Sequence, residues 1–159
     1  MTYAVLRVRS PRDKQRKAED TLKMLRLERV NHCTIIPDDK EHKGMLNRVK
    51  DIVTWGEVDK DTLVKLLTHR STLDGGLNDD IVSENTDYDS IEEFAEAYLN
   101  GKVDLDDIEG LKNLFRMHPP KGGYKSVKKP FNTGGSLGYR GENINDLLQR
   151  MLGPKNNDN

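Results

Sequence analysis

Residues 32–56 read HCTIIPDDKEHKGMLNRVKDIVTWG, and this stretch decides the fold. The β-branched run 32–36 predicts a strand, and the proline that follows it predicts the end of that strand. Met45 and Val49 lie one helical turn apart in a polar segment, which predicts a helix over residues 40–50. The apolar run 52–55 then predicts another strand, which ends at the glycine after Trp55.

The chain before this stretch predicts one more strand and one more helix. Residues 3–9 alternate between two sets of side chains, as in a half-buried strand, and Ser10-Pro11 ends the pattern. Ala18, Leu22 and Leu25 recur at helical spacing within a charged segment, which predicts an amphipathic helix of about 13 residues. The resulting order β-α-β-α-β within residues 1–57 predicts an α+β core, although many α+β and α/β folds share that order.

After residue 57 the sequence predicts mainly helices and loops. The first helix follows a candidate cap at Asp59, and the second follows a Ser90/Glu93 capping box and ends at Gly101. The last helix follows a candidate cap at Asn143 and carries four apolar residues on one face, Ile144, Leu147, Leu148 and Met151. We divide the chain into the core at 1–57, an acidic helical segment at 58–109 and a basic, glycine-rich extension with a C-terminal helix at 110–159.

Charge is distributed in opposed blocks that the formal net charge of −1 hides. Residues 1–73 carry sixteen Lys/Arg against eleven Asp/Glu, whereas residues 74–109 carry thirteen acids and one lysine. Residues 110–141 contain seven Lys/Arg and no acid, together with seven of the thirteen glycines. Such asymmetry indicates a charged partner more strongly than the total does, and nucleic acid is the commonest polyanion. The acidic block is equally well explained as a solvated helical face.

Other function classes find little support in the residues. No G-x-x-x-x-G-K-[ST] or dinucleotide spacing is present, the four histidines show no metal-ligand spacing, and no nucleophile motif occurs. We therefore predict no enzymatic activity, no cofactor, no metal and no small-molecule substrate. The single Cys33 is expected to be a buried small hydrophobe. No apolar run approaches the roughly 18 residues of a membrane span, and residues 1–10 lack the apolar region of a secretory signal, so we expect a soluble protein without membrane contact.

The sequence also resembles a known family. Residues 18–31 (AEDTLKMLRLERVN), 32–37 (HCTIIP) and 42–58 (HKGMLNRVKDIVTWGEV) are similar to the universal L-thirty family of large-subunit ribosomal proteins. The family pattern of a cation, Gly and Met, followed by a cation-Val pair, is matched by Lys43, Gly44, Met45, Arg48 and Val49. HPPKGG at 118–123, GGSLGYRG at 134–141 and INDLLQRM at 144–151 are similar to the archaeal form, so the resemblance covers nearly the whole chain.

The resemblance implies a small antiparallel sheet with helices on one face, related to the ferredoxin-like arrangement, plus an extension. It implies a structural role within the cytoplasmic ribosome, with large-subunit ribosomal RNA as the partner and 5S RNA and neighbouring ribosomal proteins as further candidates. An RNA-binding or assembly protein outside the ribosome is the alternative, and a small nucleotide-dependent enzyme is a third.

The expected RNA-binding residues come from the two basic clusters and from the family motif. They are Arg7, Arg9, Arg12, Lys14, Arg16, Lys17, Lys43, Gly44, Arg48, Arg116, His118, Lys121, Tyr124, Lys125, Lys128, Lys129 and Arg140. Cations suit phosphate groups, while aromatic rings and arginines stack on unpaired bases. A solvated surface would explain the first cluster, Arg7 to Lys17, without any ligand.

Overall fold

A computed structural model describes residues 2–9, 16–73, 75–124, 126 and 128–153. The strands are β1 (Thr2–Arg7), β2 (His32–Pro37), β3 (Val53–Glu57), β4 (Phe115–Arg116) and β5 (Gly138–Tyr139). The helices are α1 (Arg16–Met24), α2 (Lys40–Arg48), α3 (Lys60–Arg70), α4 (Asp79–Asn85), α5 (Ile91–Leu99) and α6 (Asn143–Arg150). The order β1-α1-β2-α2-β3 confirms the prediction for the core.

The five strands form one sheet in the order β4-β2-β1-β3-β5. β1 lies in the centre and pairs antiparallel with β2 and with β3, as expected for a small antiparallel core. β4 adds to β2 in antiparallel fashion, whereas β5 pairs parallel with β3. Both edge strands come from the acid-free run 110–141, so the extension completes the sheet of the core.

Both faces of the sheet are covered. On one face, Tyr3 and Val5 of β1 pack with Leu22 of α1 and Leu46 of α2. The other face packs against the α3 and α6 layer, and α5 lies outside α3. The core helices α1 and α2 thus occupy one face, as expected, while α3 of the acidic segment and α6 of the extension cover the second. The prediction of a half-buried first strand was wrong, because α1 and α2 bury Tyr3 and Val5 on one face while the α3 and α6 layer buries Ala4 and Leu6 on the other.

Local signals at the helix ends behaved largely as the sequence indicated. The Asp59 carboxylate accepts a hydrogen bond from Thr62 N at 2.8 Å and caps α3. Ser90 caps α5 through Glu93 N, while the Glu93 carboxylate accepts from Asp89 N rather than from the cap residue itself. Asn143 is the first residue of α6 and not its cap. The described part of α1 spans 9 residues and ends at Met24, where the chain turns sharply.

After α3, the acidic segment forms α4, α5 and a short turn, and these pack over the apolar surface of α3. Phe94, Ala95, Leu105 and Ile108 are buried there, whereas every Asp and Glu described between residues 79 and 109 is exposed. Its charge therefore faces outward. In the described part of the chain no helix has the length and apolarity needed to cross a bilayer.

Candidate RNA interface

The outer face of α2 presents cations around a bare stretch of main chain. Met45 and Leu46 point into the core, which leaves Lys40, Lys43, Gly44 and Arg48 exposed. α2 begins after Asp39, whose carboxylate accepts from His42 N at 2.8 Å. Residues three and four apart share a helical face, so Lys40 and Arg48 lie on either side of Gly44.

The two family-motif cations on α2 differ in their surroundings. Lys43 Nζ lies 2.8 Å from Asp38 Oδ1, and this hydrogen bond raises the pKa of the lysine. Arg48 forms no ion pair with any described residue. Arg48 is therefore free to meet a phosphate, whereas Lys43 would first share its charge with Asp38.

Gly44 lies in the middle of α2 although nothing around it requires a glycine. A Cβ added at this position meets no described atom within 4 Å, and the residue is exposed. Glycine in a helix interior is less favourable than alanine by about 1 kcal/mol. Gly44 therefore lowers the stability of the helix. In return it leaves a patch of exposed main chain without side chains, which another backbone or a base can contact closely.

Two arginines expected to bind RNA serve the fold instead. Arg7 is 8% exposed, and its guanidinium donates to Leu27 O at 2.8 Å and to Arg9 O at 3.1 Å. Burial lowers its pKa. The structure thus corrects its assignment, because both hydrogen bonds fix the turn between α1 and β2 and the edge of the core.

Arg140 is likewise 8% exposed and organises the glycine-rich loop. Its Nε donates to Thr54 Oγ1 at 2.8 Å, its Nη2 donates to Ser136 O at 2.9 Å, and the guanidinium lies 4.7 Å from the centre of the Phe131 ring. Burial lowers its pKa to about 10. These contacts tie β5 and the loop before it to β3, so Arg140 also has a structural role.

Tyr124 is a third expected residue with contacts to the core. Its hydroxyl donates to Asn31 Oδ1 at 2.6 Å, and its half-buried ring packs against the core. Burial raises its pKa. Part of the ring therefore serves the core, and a role of Tyr124 in RNA binding stays a prediction.

The remaining expected residues lie on the surface or outside the described residues. Lys17, Arg116, His118, Lys121, Lys128 and Lys129 are exposed, and Arg9 donates through Nε to Asp51 O at 2.7 Å. Arg12, Lys14 and Lys125 lie outside the described residues, and so does the side chain of Arg16. Residues 118–121 are tied to the end of α6, because His118 N donates to Met151 O and Lys121 N to Arg150 O.

Sequence reasoning did not select an aromatic cluster at the β5 edge. Tyr139 is 51% exposed and its ring centre lies 6.3 Å from those of Tyr3 and Trp55. The Tyr139 hydroxyl donates to the Glu57 carboxylate, which holds the ring in place and contributes to raising its pKa to about 12. The pairing of β3 with β5 brings Trp55 beside Tyr139, and no local sequence pattern predicts that pairing.

Comparison with known proteins decides the family. The family model of ribosomal protein L30p/L7e matches residues 3–53. A large ribosomal subunit protein uL30 from Methanopyrus kandleri is 52% identical over 149 residues, covering 91% of this chain and 100% of the relative. The chain belongs to the ribosomal protein L30p/L7e family.

Two further L30p/L7e relatives extend the similarity over the same range. The uL30 proteins of Methanocorpusculum labreanum and Methanococcus maripaludis are each 48% identical, over 94% and 96% of this chain and over 99% and 100% of their own lengths. The acidic segment and the extension are therefore shared with these relatives. Membership confirms the resemblance to the archaeal form and the prediction of a structural protein rather than an enzyme.

The family match includes the part of the site that α2 provides. Residues 3–53 run from β1 to the first residue of β3 and include Lys43, Gly44 and Arg48. The acid-free run 110–141 follows this matched range in the sequence, and the full-length relatives cover it as well. The L30p/L7e core thus carries its own exposed basic face, and the extension adds a second one.

Proposed function

We propose that this L30p/L7e protein is a structural constituent of the large ribosomal subunit and that it binds ribosomal RNA through the outer face of α2 and the exposed cations of residues 116–129. Gly44 carries the proposal. Its position is open to solvent and unconstrained by the described chain, yet it holds the residue that is least favourable for a helix apart from proline. The requirement for glycine is then imposed by something outside the chain that approaches the helix closely.

The charge around Gly44 identifies that partner as a polyanion. Lys40 and Arg48 flank the glycine on the exposed face, and Lys43 lies beside it. A phosphate backbone against the bare main chain at Gly44 meets Lys40 on one side and Arg48 on the other, and Glu41 is the one carboxylate of α2 on this exposed face. RNA helices are recognised largely through such phosphate and 2′-hydroxyl contacts. The ring of Tyr139 at the β5 edge, which is 51% exposed, offers a stacking surface for an unpaired base.

The layers of the fold orient the protein on RNA. α2 lies on one side of the sheet, and the acidic α4 and α5 lie outside α3 on the other. Carboxylates near phosphate groups would be repelled, so the acidic layer faces solvent or a basic protein neighbour. Large-subunit ribosomal RNA is the main partner in this arrangement. 5S RNA and neighbouring ribosomal proteins are the further ones, in the cytoplasmic large subunit.

Sedimentation combined with cross-linking tests the proposal. A tagged chain expressed in a methanogen cell is fractionated on a sucrose gradient, and RNA joined to it by ultraviolet light is sequenced. We expect the chain to travel with large subunits and to cross-link to their RNA through peptides of α2. A chain that stays at the top of the gradient bound to other RNA would support the non-ribosomal alternative and would refute the ribosomal one.

A further inference from the structure

A groove at the β4 edge gathers cations from two distant parts of the sequence. It encloses about 640 Å³ and is lined by Arg26, Glu28, Arg29, His32, Lys112, Leu114 and Arg116. Antiparallel pairing places His32 opposite Arg116. Asn113 fixes this pairing from the side, because its amide donates to Ile35 O at 2.6 Å and its carbonyl oxygen accepts from Ile35 N at 2.8 Å. The groove is therefore built on rigid main chain.

The cations of the groove are not neutralised by the protein. Arg26, Arg29, Lys112 and Arg116 are exposed, and none of them forms an ion pair within the described part of the chain. Glu28 is the one carboxylate among the lining residues. Burial, together with the charges of Arg116 and Arg29, lowers the pKa of His32, which is the effect expected where the local potential is positive. Such a groove attracts anions.

The backbone at Arg26 indicates that its side chain is needed. α1 ends in a Schellman turn, in which Leu27 N donates to Leu22 O at 2.8 Å and Arg26 N donates to Lys23 O at 3.0 Å. Arg26 occupies the left-handed position of this turn, with a φ of 61°. Glycine adopts this conformation without penalty and is the usual residue there, whereas arginine is strained. Backbone strain at a residue whose exposed side chain borders a cationic groove is typical of a functional position.

We infer that this groove is a second RNA-binding site, separate from the α2 face, which takes consecutive phosphate groups of ribosomal RNA. Arg26, Arg29 and Arg116 present guanidinium forks that bind phosphate oxygens in pairs, and Lys112 adds a point charge. The inference rests on the proposed function, because that function supplies RNA as the polyanion. It assigns a binding role to Arg26, Arg29 and Lys112, which are not among the RNA-binding residues expected from the sequence.

A charge-reversal pair with a matched control tests the groove. The test variant is Arg29→Glu with Arg116→Glu, and the control is Lys60→Glu with Lys102→Glu, two exposed cations outside the groove with the same change in net charge. Affinity for large-subunit ribosomal RNA is measured across a salt titration, and folding is checked by circular dichroism. We expect the test variant to lose at least about tenfold in affinity and its log–log salt slope to fall by roughly 1.4–1.8, since each phosphate contact contributes about 0.7–0.9. The control should keep the wild-type slope.

A second variant separates binding from folding. Arg26→Gly relieves the left-handed strain, so its melting temperature should not fall, while its RNA affinity should drop. Should the charge reversal prevent folding, Arg29→Gln with Arg116→Gln replaces it, with the same expected direction. If the wild-type protein binds RNA well and the groove variants show the same affinity and salt slope as the control, the groove is not an RNA site and the proposed function still stands. If the groove variants keep their RNA affinity but no longer sediment with large subunits, the groove binds an acidic protein segment and not RNA. A wild-type chain that binds no ribosomal RNA would overturn the proposed function, and the groove with it.

Discussion

Replacing Gly44 by alanine should stabilise the free protein and weaken its binding to RNA. Gly44 is the fifth of nine residues in α2, so the full interior difference in helix propensity applies. The added methyl group meets no described atom within 4 Å and therefore causes no clash in the free chain. We expect the free energy of unfolding to rise by about 0.8–1 kcal/mol. For a domain of this size that corresponds to roughly 2–4 °C in melting temperature.

The effect on binding has the opposite sign. If RNA closes onto the bare main chain of α2, a methyl group in that contact acts as overpacking, which costs about 1–3 kcal/mol. This free energy corresponds to a loss of roughly 5- to 150-fold in affinity. Thermal melting of the purified chain measures the first effect, and filter binding to large-subunit RNA at fixed salt measures the second. The phosphate contacts remain, so the salt slope should change little.

Asn47→Ala is the matched control for Gly44→Ala. Asn47 is exposed one turn further along α2, and alanine there also improves helix propensity without adding any atom beyond the existing Cβ. It should stabilise the chain and leave binding much less affected. Gly44→Ala protein that is more stable and binds RNA as tightly as wild type would refute the close approach. A Gly44→Ala protein that is less stable than wild type would show that the added methyl group clashes, and this would refute the open space around Gly44.

Three further outcomes follow from individual contacts. Lys128→Glu with Lys129→Glu should weaken RNA binding with no change in urea unfolding, because both side chains are exposed; wild-type affinity would mean that they are only solvated. Arg140→Met should lower the free energy of unfolding by roughly 2–4 kcal/mol, because it removes two buried charge-assisted hydrogen bonds; urea titration that shows less than about 1 kcal/mol would contradict its structural role. Cys33 should resist a maleimide in the native state and react once the chain unfolds, since burial raises the pKa of its thiol to about 12; rapid native labelling would contradict that burial.

The regular part of the fold was predictable because its signals are local. The β-branched run of β2, the helical spacing of α2 and the carboxylate cap of α3 each depend on residues within one or two turns of one another. β4 and β5 were not predicted, because two-residue strands have no periodicity. They form where Asn113 and Arg140 attach the extension to the core, and those contacts join residues 78 and 86 positions apart.

The candidate site was predictable in its charge and less so in its members. Counting cations identified the exposed Arg116, Lys128 and Lys129, but the same count included the buried Arg7 and Arg140. Charge in a sequence does not distinguish an arginine that binds a partner from one that donates to main-chain carbonyl groups. Only the partners of each guanidinium separate the two cases, and they depend on the tertiary fold.

The covered sheet decides where this protein can meet RNA. Proteins that read single strands on an open sheet present aromatic rings from the middle of a face. Here both faces of β1 are buried, so the centre of the sheet is closed to any ligand. Contact must then use the outer surface of a helix, the sheet edges or the loops. The bare face of α2 is the outer surface of a covering helix, whereas the aromatic cluster at β5 and the cationic groove at β4 lie at the two sheet edges. The carboxylates of α4 and α5 lie on the layer farthest from α2.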